Sequence, residues 1–326
     1  MINYKTHIDR IVALIPLQYY WSAITIGGIF FSISSTILMF FKSELTYMML
    51  VFLLSILLIL EITTIIWCEK KMELLEGTIL NFVELSREDT VKWYEKQEAL
   101  IFNDKRMFAS GIFLNVLSHW AGLDYFGISF NSVYSEFFFR ICYYFVHYFV
   151  GAGMYMLIAT AWMTYRISHL PLNIDIILSK NIQFKGTLYS KFTTCAVAIY
   201  IAWGIFYIST PLRLHSMNRI IWFSSFAIIL AAYFILPQYS VRQILAKTRK
   251  ERLKVFTSRL KAKAEETLEN PTKENAECLK NLLDVQNQLD EMSEWPFGSY
   301  EVAHIALIII VPLIVVALEI LFRNMK

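Results

Sequence analysis

Residues 107–128 read MFASGIFLNVLSHWAGLDYFGI. The stretch is apolar enough to be a candidate membrane span, but His119 and Asp124 interrupt it. Whether it crosses decides the topology of everything downstream. A crossing needs about 20 apolar helical residues. Six other segments supply them with less ambiguity: 21–41, 46–67, 137–164, 192–210, 220–236 and 300–322.

Loop charge arbitrates, because cytoplasmic loops are enriched in Lys and Arg. Lys5 and Arg10 precede the first span, and only Lys42 follows it. Residues 68–106 then carry seven basic side chains, 118–136 none, 165–191 four, 211–219 two and 237–299 eleven. Counting 107–128 as a span makes rich and poor loops alternate along the chain. Omitting it inverts every later loop. The expectation is an all-α polytopic membrane protein with seven transmembrane helices, N-terminus in and C-terminus out. Rhodopsin-like receptors have the opposite polarity, and a retinal protein needs a lysine in its last helix, which 300–322 lacks.

The composition agrees. Mean hydropathy is +0.48. Apolar residues make up 56% and charged residues 17%, against about a quarter charged in soluble chains. The expected location is the plasma (inner) membrane, with the lipid bilayer as the first partner. Residues 1–20 are not read as a cleavable signal: IVALIPL is short, carries a proline and runs into a longer apolar span. The four cysteines are scattered and form neither a disulfide framework nor a zinc site. No GxxxxGK[ST], HExxH, GxSxG or GxGxxG occurs, and the six histidines are dispersed. The expectation is no enzyme, no cofactor, no metal and no nucleic acid.

Residues 237–299 leave the membrane with a pattern. Val241, Ile244, Leu245, Leu253, Phe256, Leu260, Ala264 and Leu268 recur at mostly helical spacing. Pro271 stops that run, and Ala276, Leu279, Leu282, Leu283, Leu289 and Met292 form a second. Between Arg242 and Lys263 lie nine basic residues and one acid; between Glu274 and Glu294 lie six acids and one lysine. An antiparallel cytoplasmic helical hairpin with complementary arms follows. Two readings stand for it: a solvated hairpin whose basic arm lies near anionic lipid, or a platform for homo-oligomerisation through 237–299 and the last helix. Segment 68–106 is also helical in pattern and is expected to dock there. The organisation is 1–236 for six spans with that cytoplasmic segment, 237–299 for the hairpin and 300–326 for the last span.

Ionisable groups inside spans are functional candidates by default. Glu61 lies in the second span, about two turns from its cytoplasmic end. Arg140 and His147 sit in the run FFFRICYYFVHYFV of the fourth, which holds eight Phe and Tyr. Two readings stand for that run: an aromatic belt facing lipid, or, with Arg140, Tyr143, Tyr144, His147 and Tyr148, a pocket for a small apolar or cationic ligand. In the last span Glu301, Ile305, Ile308, Pro312, Val315 and Glu319 fall on one helical face. In one subunit the acids simply sit at the two interfaces. Repeated around a symmetry axis, the stripe makes two acidic rings about an aliphatic constriction, which concentrates cations and gates by dewetting.

Taken together, these features resemble the seven-transmembrane ligand-gated ion channel superfamily typified by insect odorant and gustatory receptors. The likeness is one of topology across the whole chain: seven spans, N-terminus in, and a helical cytoplasmic region before the last span. The Thr-Tyr and Gln-Phe motif of the insect last helix is missing from 300–322, so no residue role carries over. The resemblance implies four subunits joined through the cytoplasmic anchor, a central pore lined by the last helix, and ligands bound in the outer half of each bundle. The leading expectation is therefore an oligomeric, tetrameric channel-like protein, a ligand-gated cation channel. A non-conducting sensor or scaffold that recruits a cytoplasmic partner is the alternative, followed by a secondary transporter using Glu61.

Overall fold

The computed structural model describes residues 6–41, 45–83, 85–123, 133–167, 169–170, 181–209 and 216–291, with 310 and 314. Among these residues the secondary structure is helical, with no strand. Three helices are long and apolar enough to cross a membrane: Tyr19–Phe40, Leu45–Met72 and Val133–Ile167. Shorter apolar helical stretches cover Thr194–Tyr207 and Ser224–Tyr233.

Helix α1 (His7–Ala13) is one amphipathic element whose N-cap Thr6 accepts from the Asp9 amide and whose Ile8 and Val12 are buried. Pro16 stands three residues beyond it, where continuation would need an N–H that proline lacks. Helix α2 (Tyr19–Phe40) buries a narrow face rich in small residues, Ser22, Ala23, Gly27, Ser34 and Ser35. Small residues let helix backbones approach closely where lipid supplies no hydrophobic drive. A Cβ at Gly27 would lie 2.3 Å from Ile59 Cγ1 of the next helix.

That helix, α3 (Leu45–Phe82), is the axis of the bundle. It packs against α1, α2, the helices Arg87–Ile101 and Val133–Ile167, and Asn181–Ser209, and buries Leu50, Leu54, Leu58, Ile62 and Ile66. At 38 residues it is about 57 Å long. It therefore continues well past the span expected at 46–67. Helix α4 (Arg87–Ile101) starts at a Ser86 cap that accepts from the Asp89 amide, with Glu88 and Asp89 in the first turn, where acids meet the positive end of the helix dipole. It lies on α3 and α6, and Tyr94 donates to the Met72 carbonyl at 2.5 Å.

At the third expected span, 107–128, helix α5 (Asp104–Trp120) is capped by Asn103 and ends earlier than the sequence pattern suggests. Its end is a Schellman motif. Gly122 takes φ 70°, its amide donates to His119 O, and the Leu123 amide donates to Ser118 O, both at 2.9 Å. Glycine adopts that left-handed conformation at no steric cost, and Leu123 is fully buried beneath it. With 17 residues, α5 is about 25 Å long. Asp124 to Ile128 lie outside the described residues.

Helix α6 (Val133–Ile167) runs antiparallel to α5: Ser110 donates to Gly151 O, Asn115 to Tyr144 O, and Ser118 meets Tyr143. Helix α7 (Asn181–Ser209) packs on α3, and α8 (Ser216–Glu269) on α6 and α7. Helix α8 has 54 residues, about 81 Å, and passes through Pro237 without a break. The boundary expected at 236/237 thus falls inside one continuous helix. Pro271 ends that run as expected, Thr272 caps α9 (Lys273–Glu291) by accepting from the Asn275 amide at 3.2 Å, and α9 packs back on α8.

Candidate functional site

A cavity of about 100 Å³ lies between α3, α6, α7 and α8. Its walls are nearly all apolar, with Ile65, Met156, Phe192 and Leu230 among them, and its polar groups are few. Each helix supplies the wall from the residues its turn brings inward, at steps of three and four: Glu61, Ile65 and Cys68 from α3, Trp222, Phe226 and Leu230 from α8.

A carboxyl and an imidazole face this space, with the side chains of Cys68, Tyr200 and Tyr207. Glu61 is 1% exposed and His147 is 2% exposed. Glu61 stands near the middle of the apolar stretch Leu45–Met72, deeper than its place in the shorter expected span implied. Trp203 Nε1 donates to its Oε1 at 2.7 Å. Its Oε2 has no hydrogen-bond partner among the described residues. A buried polar atom left unpaired is destabilising and calls for an occupant.

The protonation of His147 follows from its neighbour. Asn115 Nδ2 donates to the Tyr144 carbonyl at 3.0 Å, which turns Asn115 Oδ1 toward His147 Nδ1, 3.0 Å away. An amide oxygen only accepts, so Nδ1 carries the proton and Nε2 presents a bare lone pair. The imidazole is held flat by Tyr143, stacked at 5.2 Å and 15°, and edge-on by Trp203 at 5.2 Å and 85°. Tyr143 is fixed in turn by hydroxyl contacts with Ser118 at 2.7 Å and Tyr207 at 2.6 Å.

The five aromatic-run candidates do not share one pocket. His147 lines the cavity and Tyr143 backs it. Tyr144 instead meets His119 Nδ1 at 3.0 Å, and the Tyr148 hydroxyl meets His7 Nε2 at 2.7 Å. Arg140 pairs with Glu136 one turn away at 2.5 Å. Residues 143 and 147 are four apart and share a face, as are 144 and 148, but adjacent residues diverge by about 100° on a helix. A contiguous aromatic run therefore serves two sides of α6. Trp203 and Asn115 had no place in the sequence reading. Their signal was present as a Trp within the apolar stretch 194–207 and an Asn inside a span.

A second polar cluster ties α1 to α5. Asp104 accepts from the His7 amide at 2.7 Å and from His7 Nδ1 at 3.0 Å, and pairs with Arg10. Partial burial pushes the Asp104 carboxyl up, but the His7 hydrogen bonds and the His7 and Arg10 charges outweigh it and hold it below the usual range.

The stripe Glu301, Ile305, Ile308, Pro312, Val315 and Glu319 lies outside the described residues. Ile310 and Ile314, the two described residues of that segment, are about half exposed and fall on the opposite helical face. Among the described residues no group of three or more His, Cys, Asp or Glu side chains is placed to hold a metal ion. No family model matches the chain, and neither does any curated protein or solved structure.

Proposed function

We propose that this protein is an oligomeric, tetrameric channel-like receptor of the membrane, in which a small ligand enters the chamber between α3, α6, α7 and α8 and biases a cation pore formed by the last span of each subunit. One observation carries the reading. The chamber wall residues Trp222, Phe226 and Leu230 belong to the same unbroken helix that becomes the first arm of the hairpin. A ligand that shifts α8 at the chamber moves the hairpin with it, because a helix transmits displacement along its length. In this reading the chain crosses seven times, N-terminus in and C-terminus out, and the hairpin joins the subunits.

The test is cation flux from purified protein in liposomes. Glu301→Gln lowers cation conductance, and Ile308→Ser wets the constriction and raises leak. Ile310→Ser, on the opposite face, leaves leak unchanged. A variant set in which Ile310→Ser leaks and Ile308→Ser does not reverses the assignment of the pore face. Sound protein that carries no ions in any variant leaves the scaffold reading in its place. Cysteine labelling from outside reaches Asn131 and His215 positions but not Thr78 or Ala276; labelling at Ala276 overturns the orientation.

A transporter is the second reading, favoured by Glu61 itself. Its carboxyl is enclosed near the middle of an apolar stretch, where transporter sites lie. Saturable exchange that Glu61→Gln abolishes, without single-channel current, selects it.

A further inference from the structure

We infer that the chamber is a binding site for a small primary alkylammonium ion of about four or five heavy atoms. The inference deepens the receptor reading and rests on it for the site's role, but binding itself is measured apart from flux.

The argument is a balance of donors and acceptors. Three donors around the chamber are engaged: Trp203 Nε1–H goes to Glu61 Oε1, and the Tyr143 and Tyr207 hydroxyls pair with each other and with Ser118; Thr64, Cys68, Tyr200 and Trp222 also line the wall. His147 spends its one N–H on Asn115. Two acceptors remain inside the wall, Glu61 Oε2 and His147 Nε2, both on side chains more than nine-tenths buried. Neither has a partner among the described residues, and the two are not bonded to each other. An occupant that satisfies both brings at least two donors. An ammonium brings three N–H groups and the positive charge that lets a buried carboxyl ionise. An alcohol brings one O–H, and a carboxylate brings none and repels Glu61.

The remaining wall fits the rest of such a molecule. Trp203 and Trp222 flank His147, so an ammonium held there lies near two indole rings, whose faces are the best cation–π surfaces. Beyond them Ile65, Met156, Phe192 and Leu230 offer only apolar contact for an alkyl tail. The size is bounded as well. The cavity is about 100 Å³, whereas a cavity of about 150 Å³ holds benzene. Propylamine and butylamine lie inside that limit.

The experiment is binding to the full chain in lipid nanodiscs, with n-butylammonium, n-butanol and n-butyrate as probes, read by calorimetry and by tryptophan fluorescence. Butylammonium binds saturably, butanol binds at least about tenfold more weakly, and butyrate does not bind. Glu61→Gln removes the preference for the amine but keeps butanol binding, which shows the cavity intact. If that variant does not fold, Leu230→Trp, which fills the chamber and keeps the carboxyl, abolishes binding of both probes. Equal affinity for butanol and butylammonium, an undiminished preference in Glu61→Gln, full binding in Leu230→Trp, or no saturable binding at all overturns the inference. Amine binding without ion flux leaves it standing and removes the channel reading. Flux gated by another class of molecule, with no amine bound, does the reverse.

Discussion

Trp203 gives its single N–H to one oxygen of Glu61 at 2.7 Å and leaves the other oxygen bare. The bond joins α7 to α3 across 142 residues of chain. Removing the indole donor while keeping the acid strands a buried carboxyl, which costs about 1–3 kcal/mol. Trp203→Phe should therefore lower the midpoint of thermal unfolding in detergent. Adding Glu61→Leu should restore much of the loss, because replacing both partners removes the stranded group. A double variant less stable than Trp203→Phe alone counts against the account.

Helix contact at glycines ranks three further substitutions. A Cβ on Gly151 would meet the Gly111 Cα and Ser110 O at 2.7 Å, both backbone. Backbone cannot step aside, so Gly151→Ala should destabilise by about 1–3 kcal/mol. Gly27→Ala meets the Ile59 side chain, which can change rotamer, and should cost less. Gly28→Ala meets nothing within 4 Å and should be neutral or slightly stabilising. Unfolding midpoints of the three purified variants give the order directly.

The α1 tether has a pH dependence with a definite sign. The Asp104 carboxyl is held below its unfolded value in the folded chain, so the folded state favours the ionised form. That contribution is fully present above the unfolded carboxylate range, about pH 4, and is lost as pH falls through the lower folded value. The pair is about one-third exposed on the Asp104 side, so the effect is modest, below about 1 kcal/mol. Asp104→Asn should speed protease cleavage of the first twenty residues at pH 7, and the difference from wild type should shrink below about pH 4. A difference that grows as the pH falls below about 4 contradicts the sign.

The hairpin keeps apolar side chains in the open. Val255 is 50% exposed and Leu283 is 42% exposed, on α8 and α9 respectively. Deleting 243–292 should leave monomers in detergent. The gentler pair Val255→Asp and Leu283→Asp should weaken association while helix content stays constant. Light scattering with circular dichroism separates the two effects, and a deletion that still runs as the full oligomer ends the anchor idea.

Much of the fold was legible in the sequence. Period and length found the helices, and Pro271 marked the turn between α8 and α9. Ends were harder. Hydropathy carried the third span to Ile128, whereas the helix stops at Trp120 because Gly122 and Leu123 close it with backbone hydrogen bonds. A hydropathy window does not register such a motif, although a Gly two residues past a Trp hinted at it. Likewise 46–67 stopped where apolar residues thin out, yet α3 runs on to Phe82 and packs against α4. The chamber was half legible. Glu61 and His147 stood out as ionisable groups in spans, but that one indole lies against both is a fact of tertiary packing.

The bonds from Ser110, Asn115 and Ser118 to α6 bear on synthesis as well as on the finished bundle. These side chains find their partners on a helix that the ribosome makes later. Until then α5 is a short helix with its polar groups open to lipid or water, a poor candidate to stay in a bilayer by itself. In the proposed seven-span topology its residence in the membrane would wait for α6, so the two would enter as a pair. A lesion at Gly151, more than thirty residues downstream of α5, would then show first as misplaced nascent chain and a quality-control problem, before any loss of stability in the folded protein.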